Sequence, residues 1–506
     1  MTTPATAWPL ENAVFSAAML AHRLPWADAP ARALGLDSLT REGAARKVLA
    51  HLRHSRCGRP VRLRTPFGSF LVPLGADDTA GLLAEGAASD ALAPAVRLDG
   101  AGRRHGLHPH APLPPDAAPS AALLRGPLAE ELEKVVAARR DDHVLPWEAW
   151  RPGLLRAARR VVVGEAAADD TLLTEVLFRT AGAAGGHAYE GRAAALNRRL
   201  APYLSDPDPR SVAAGLDRGL NRNQAAGPVV PTARAQGAPH SAASRPGEAL
   251  AHTLAVVSEA AVTTALQALA LAAAGVPGAA DGPAGAVALA LDHFPPVEAA
   301  VHPVRTRFVW DGLAVDAGTE ILAAPGWLRD AAAPADAVAR EGSGEGRGAF
   351  RYDGPSPLCG SATGCSVTAF AVEVAEEIVR FFTEAARPAL LSPALRPDRM
   401  PFTLPPHTVR IALLGAGAGA GVGAGVGLGA VPPAVRVGSP ASSAALARAD
   451  ADRLDRHARS LVACAAETGW NGDEAGERFR MQLLEHAERC TRAASDVRAA
   501  ARRLGD

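Results

Sequence analysis

The chain has 506 residues, 53 basic and 53 acidic side chains, a formal net charge of zero and 48% hydrophobic residues. That length accommodates a large catalytic unit with an appendage, and the balanced charge gives no reason to expect a nucleic-acid or anionic-membrane partner. Five cysteines, at 57, 359, 365, 464 and 490, include no Cys-x-x-Cys pair or metal-ligand spacing, which argues against a disulfide framework or a zinc site. The opening Met1-Thr-Thr-Pro lacks a basic segment followed by an apolar run, so a reducing cytoplasmic setting is expected. A helix is predicted over 39–54. Val61-Arg-Leu-Arg and Ser69-Phe-Leu-Val alternate around Pro66-Phe-Gly as a hairpin would. Residues 94–120 are rich in Gly, Pro, His and Arg and are expected as loop. Apolar residues recur at helical spacing over 128–138 and 147–163. Asp169 and Asp170 precede a further helix over 172–182. The polar, Pro-containing segment 222–247 is expected as loop.

The strongest helix signal runs from Gly247 to Ala274. It is apolar on nearly all sides, which predicts a buried core helix. Glu259, Thr263 and Thr264 lie near its middle. They read either as one solvated face or as a proton relay of acid and hydroxyl. A small antiparallel β unit follows Phe294-Pro-Pro, with strands around Phe308 and Leu313 and a turn at Asp311-Gly312. Short strands are also expected between Leu390 and Leu414. Residues 415–438 are almost wholly Gly, Ala, Val and Pro. The run carries no charge, but its glycines and Pro432-Pro433 favour a flexible linker over a membrane span. Two amphipathic helices, 442–467 and 474–504, then predict a helical hairpin over 439–506, an interaction element with Leu446, Leu454, Leu461 and Val462 as one stripe.

Cys365 follows the small-residue loop Pro357-Leu-Cys-Gly-Ser-Ala-Thr-Gly364 and opens the apolar helix Ser366–Phe382. Small residues let a flat ligand approach the backbone. A helix N-terminus favours thiolate, and a thiolate can be an axial ligand to haem iron. A buried structural cysteine behind a turn is the other reading of this residue alone.

These segments, in this order, resemble the cytochrome P450 superfamily over roughly residues 10–414. The loop before Cys365 is similar to the family's Phe-x-x-Gly-x-(Arg/His)-x-Cys-x-Gly segment, with Leu358, Ser361, Thr363 and Val367 departing from it. Trp147–Asp170 resembles the D–E helix region of actinobacterial members, and 247–274 the long I helix. Arg399-Met-Pro-Phe-Thr-Leu resembles the C-terminal substrate-lining turn. The resemblance implies a mostly α fold with a small β region, a haem-thiolate unit over 1–414, a linker over 415–438 and the C-terminal hairpin. It implies haem b on Cys365, with Cys359 as rival ligand. Glu259 and Thr264 would be the catalytic acid–alcohol pair. His302, Arg103 and His105 would face the haem propionates. A ferredoxin-type protein would supply electrons to a monooxygenase acting on a small or lipophilic metabolite. The family's Glu-x-x-Arg pair falls on Leu289 and Asp292, which is a departure. It opens the alternative of a relative without oxygenase activity that acts as a binding partner or scaffold. A peroxide-using member is disfavoured, because no Arg occurs between Glu248 and Gly275.

Overall fold

The computed structural model describes residues 4–21, 40–66, 68–98, 104–106, 110, 111, 113, 117, 121–137, 144–183, 188–216, 246–328, 356–362, 364–396, 400–414, 440–466 and 474–505. The chain divides into two compact units, Met1–Gly419 and Ala420–Asp506. Of the loop expected over 222–247, residues up to 245 lie outside the described residues, as do 329–355 and 415–438, while Pro246 and Gly247 instead open the core helix.

The first unit is mostly helical with a small β region, as its sequence led us to expect. Strands β1 (Ala5–Thr6), β2 (Val61–Thr65), β3 (Gly68–Val72), β4 (Val96–Leu98) and β5 (Arg104–Gly106) join β7 (Ala300–Pro303) and β10 (Glu320–Ala323) in one sheet. Its order is β1-β2-β3-β10-β7-β4-β5. The β1–β2 and β3–β10 pairs are parallel and the others antiparallel. Here β4 and β5 correct the expectation of loop over 94–120: two three-residue strands pair within it, too short to leave a periodic signal.

Alternation along the strands separates two apolar layers. Phe70, Val72, Val301 and Leu322 pack with Phe15, Leu49, Leu52 and Trp327, on one side. Leu71, Ile321 and Ala323 pack with Leu82, Leu83 and Phe308 on the other. The helices behind the first layer are Pro9–Ala21 and Arg41–Ser55, the latter capped by Thr40, whose hydroxyl accepts from Gly43 N–H at 3.1 Å. Two smaller β units complete the set. One pairs β8 (Phe308–Trp310) with β9 (Leu313–Val315). The other orders β11 (Arg387–Ser392), β12 (Arg410–Leu414) and β6 (Val144–Pro146).

The large helical core is built on the predicted apolar stretch, which spans Pro246–Ala273. It is helical throughout, with a π turn at Val256–Ala261 between α segments Pro246–Ala255 and Val262–Ala273. It is long and apolar enough to cross a membrane, yet 83% of its apolar window is buried inside the protein, which makes it a core helix. Helix Ser366–Ala385 packs against its π turn and its C-terminal half. Helices Ala121–Ala137 and Trp147–Val162 pack on each other and close the same core. Trp150 stacks edge-on against Phe382 with ring centroids 5.5 Å apart, joining two of these helices. Gly153 lies where any Cβ would run into Val135, so these two helices cross at glycine-only distance. Arg159 is buried and its guanidinium donates to the carbonyls of Ala167 and Ala168 and to Thr174 Oγ1. That fork supplies the turn after its helix with the partners a buried backbone needs.

The second unit is two antiparallel helices, Pro440–Ala466 and Glu474–Gly505. Their seam is alanine at seven-residue spacing. Ala451, Ala458 and Ala465 face Ala487, Ala494 and Ala501, all buried. Arg498 ties the seam's edge, donating to Asp452 at 2.9 Å and also pairing with Asp455. This corrects the expected leucine stripe. Leu454 and Leu461 are only half-buried and Val462 is exposed, because small side chains let the two backbones approach and push longer ones to the flanks. Leu446 carries no side-chain description.

Candidate functional site

Cys365 is the N-cap of helix Ser366–Ala385 and its side chain is buried. Three segments converge on it. The first is the turn before it. Gly360 adopts φ +66°, a left-handed conformation that glycine tolerates. Its N–H donates to Ser356 C=O at 2.7 Å, and Ser356 Oγ bonds Thr368 Oγ1 at 2.9 Å. The turn thus folds back on the helix, and Cys359 lies buried within it, its thiol donating to Ser361 Oγ at 3.5 Å. The second is the core helix. His252 is buried there, with Nε2 3.3 Å from Cys365 Sγ. The third carries His110. Leu113 N–H donates to Ser366 Oγ at 2.8 Å, and Ala111 and Leu113 are buried in the helical core. Those contacts seat the His110 ring edge-on against His252, centroids 5.2 Å apart. The donor atoms of His110, His252 and Cys365 all lie within 4.8 Å of one another.

The two thiols are close enough to influence each other's ionisation and do not titrate independently. Cys359 is pulled down by the bond from Cys365, helped by His252 and Ser356 against the opposing effect of burial. Cys365 is pushed up, first by its bond to Cys359 and then by burial. The pair therefore ionises at Cys359 before Cys365. His110 is the exposed member of the three, and its pKa is still lowered, first by desolvation and then by His252 beside it. This arrangement can hold a soft metal ion or act as a thiol–imidazole pair.

The other expected residues do not assemble here. Thr264 is buried, and its Oγ1 has no hydrogen-bond partner among the described residues. Glu259 is exposed, on the π turn, so the expected relay pair is not one site. His302 is 1% exposed on β7, and its Nε2 has no partner among the described residues. Burial lowers its pKa to about 4. His105 lies on β5 in register with Arg97, and only its backbone is described. Arg103 lies outside the described residues. Leu289 is packed into the core, and Asp292 is half-buried and engaged with a partner, so no lone buried charge replaces the missing Glu-x-x-Arg pair.

As placed, the His252 side chain stands where a haem on Cys365 would lie and would have to turn aside to admit one. A metal–thiolate bond of about 2.3 Å plus a van der Waals contact of about 3.5 Å on the far face requires roughly 6 Å between Sγ and the opposing helix. His252 on that helix stands at 3.3 Å. An unpartnered His302 Nε2 is what a propionate partner would leave when absent, but it cannot open the slot at the sulfur.

His110 and His252 were not singled out in the sequence. His252 was detectable as a titratable residue between Ala251 and Thr253 in a helix of mostly apolar residues. His110 sits among other histidines in a segment without periodicity and gave no such signal.

No family model matches the chain, and no curated protein matches it. Among solved structures it is similar to cytochromes P450. The structure of CalO2 shares 16% identity, with 60% of this chain and 76% of that one covered and a TM-score of 0.40. Cytochrome P450EX alpha, solved wild-type with myristic acid, shares 11% identity over 81% of this chain and 99% of that one, TM-score 0.43. Cyanobacterial CYP120A1 with retinoic acid bound shares 11% identity over 72% of this chain and 93% of that one, TM-score 0.44.

Proposed function

We propose that this chain is a cytochrome P450-like protein that has given up the haem cradle and acts as a binding or scaffold partner, not as an oxygenase. The observation that carries the reading is the 3.3 Å contact between His252 Nε2 and Cys365 Sγ, which occupies the space an iron-bound macrocycle needs. Two departures in the sequence support it. The Glu-x-x-Arg pair is replaced by Leu289 and Asp292, and Thr363 stands where the resemblance calls for a basic residue. The alanine-seamed hairpin at 440–505 supplies an interaction element, and a reducing cytoplasmic compartment would keep the thiols free.

A second reading keeps the resemblance whole: a haem b monooxygenase with a thiolate ligand at Cys365, a small or lipophilic metabolite as substrate and a ferredoxin-type donor. The buried, unpartnered Nε2 of His302 favours it, since a propionate would satisfy that nitrogen. The test is a titration of purified full-length protein with hemin, followed by reduction and CO. The first reading expects no stoichiometric uptake and no thiolate-type difference band. A band that disappears in Cys365→Ala establishes the second reading and refutes the first.

A further inference from the structure

We infer that the half-buried apolar face of the C-terminal hairpin, made by Leu454, Leu461, Leu483, Cys490 and Val497, packs against the same face of a second copy of this chain as a four-helix bundle. The alanine seam sets the register. A residue three places after a seam alanine lies about 60° around the helix from it. After Ala451 and Ala458 that residue is Leu454 and Leu461, and after Ala487 and Ala494 it is Cys490 and Val497. Leu483, four places before Ala487, falls on the same stripe. Equal offsets on two antiparallel helices point to one side of their common plane, so the five side chains share a face. All five are half-buried.

The other side of the hairpin differs. Four places after the seam alanines stand Asp455, Val462, Thr491 and Arg498. Arg498 pairs there with Asp455 and Asp452, so that side is largely polar and closed by its own ion pairs.

The occupant follows from what the apolar face carries. A methyl group per seam residue buries little area, so two helices joined by this seam lack the core to be stable alone. The reach of Arg498 to Asp452 and Asp455 fixes the antiparallel register, and in it Leu454 stands level with Val497 and Leu461 with Cys490. Each layer therefore holds two apolar side chains, and a two-fold copy completes it to the four of a bundle core. A face with the same stripe on both helices is complementary to itself, as an isologous dimer requires. The shorter helix has 27 residues, rising about 40 Å, and two alanine-packed helices are about 18 Å wide. The face thus measures on the order of 700 Å² per copy, near the roughly 800 Å² that a stable interface takes from each partner. None of the five side chains is charged, so their burial desolvates no ion. This deepens the scaffold reading by naming the partner. It rests on that reading only in taking the hairpin as the interaction element, and haem uptake does not bear on it.

The experiment is multi-angle light scattering of the full-length protein over a dilution series. We expect twice the chain mass of 51.9 kDa at tens of micromolar, with dissociation on dilution. The double variant Leu454→Gln, Leu461→Gln keeps helix propensity and should raise the dimer Kd by at least about tenfold. Val462→Gln, on the other side of the hairpin, should leave it unchanged. Circular dichroism checks helix content. A second readout needs no variant and decides the matter if the leucine variant loses helix. Maleimide labelling of Cys490, resolved from the other cysteines by peptide mass, should slow several-fold as concentration rises through the Kd, while exposed Cys57 labels at a constant rate. Wild type that stays monomeric with Cys490 labelling independent of concentration overturns the inference. So does a dimer that the folded leucine variant leaves intact, or that Val462→Gln weakens equally. A monomer with Cys490 protected at every dilution would assign the face to the chain's own first unit, which also overturns it. A hemin titration of the same samples separates the two claims. Haem uptake by a dimer refutes the haem-free reading and leaves this inference standing, whereas a monomer that takes no haem does the reverse.

Discussion

His302 should make the protein sensitive to mild acid, by an amount the structure sets. The imidazole is 1% exposed on β7, its Nε2 has no partner among the described residues, and burial alone lowers its pKa from 6.5 to about 4. The folded state therefore holds it neutral, while the unfolded chain takes up a proton below pH 6.5. Between pH 6.5 and 4 the unfolded state binds more protons, so stability falls as pH falls through that window and levels out below it. Each pH step of one within that window is worth about 1.4 kcal/mol, so going from pH 7 to pH 4.5 should cost about 2.5 kcal/mol through this residue. The assay is urea unfolding of wild type and His302→Gln at both pH values. The wild type should lose about 2.5 kcal/mol more than the variant over that interval, other titrating groups being common to both. Parallel losses in the two proteins would refute the reasoning. The result also bears on the haem question. A propionate against this nitrogen would favour the protonated ring and raise its pKa, so added haem that binds here should flatten the wild-type acid slope.

Other expectations follow from packing. Gly153→Ala should destabilise the first unit by about 1–3 kcal/mol in urea unfolding, because its Cβ would overlap Val135 across the helix crossing. Gly191→Ala, on an open face of helix Tyr189–Ser205, should instead stabilise by roughly 0.5–1 kcal/mol in the same assay. Arg159→Ala should cost about 3 kcal/mol or more in thermal unfolding, since it strips buried carbonyls of their donors, and Arg159→Lys should recover only part of that. Ala494→Asp should place a charge in the alanine seam and speed proteolytic cleavage within 440–505, and truncation after Leu414 should leave the thermal transition of the remaining chain in place.

The sequence carried most of the element pattern because helix and strand periods are local. The stretch ending at Ala273, the 61–72 hairpin and the two C-terminal helices each announce themselves in their own residues. Errors arose where local pattern is silent. β4 and β5 are three residues each; β4 takes its place from β7 alongside, and β5 from β4. The π turn adds a residue to a helix whose neighbours are apolar on every side, so no change of period marks it. The hairpin seam was misassigned because Leu outranks Ala in hydrophobicity, while close packing of two backbones selects Ala.

Why Cys365 was legible while its chemistry was not has a physical answer. A cysteine at a helix start is visible in one segment of chain, and what opposes it is decided by three others. The same thiol facing an empty slot about 6 Å deep would suit a macrocycle, and facing an imidazole at 3.3 Å it suits a single small ion. The discriminating residue is therefore His252. Replacing it with a smaller apolar side chain should move the site toward the first case. We predict that His252→Ala, if folded by circular dichroism, gains measurable hemin uptake over the wild type. The deleted ring clears the face of the Cys365 sulfur. Hemin uptake unchanged from wild type in a folded variant would show that His252 does not block a macrocycle, and the argument from the contact would fall.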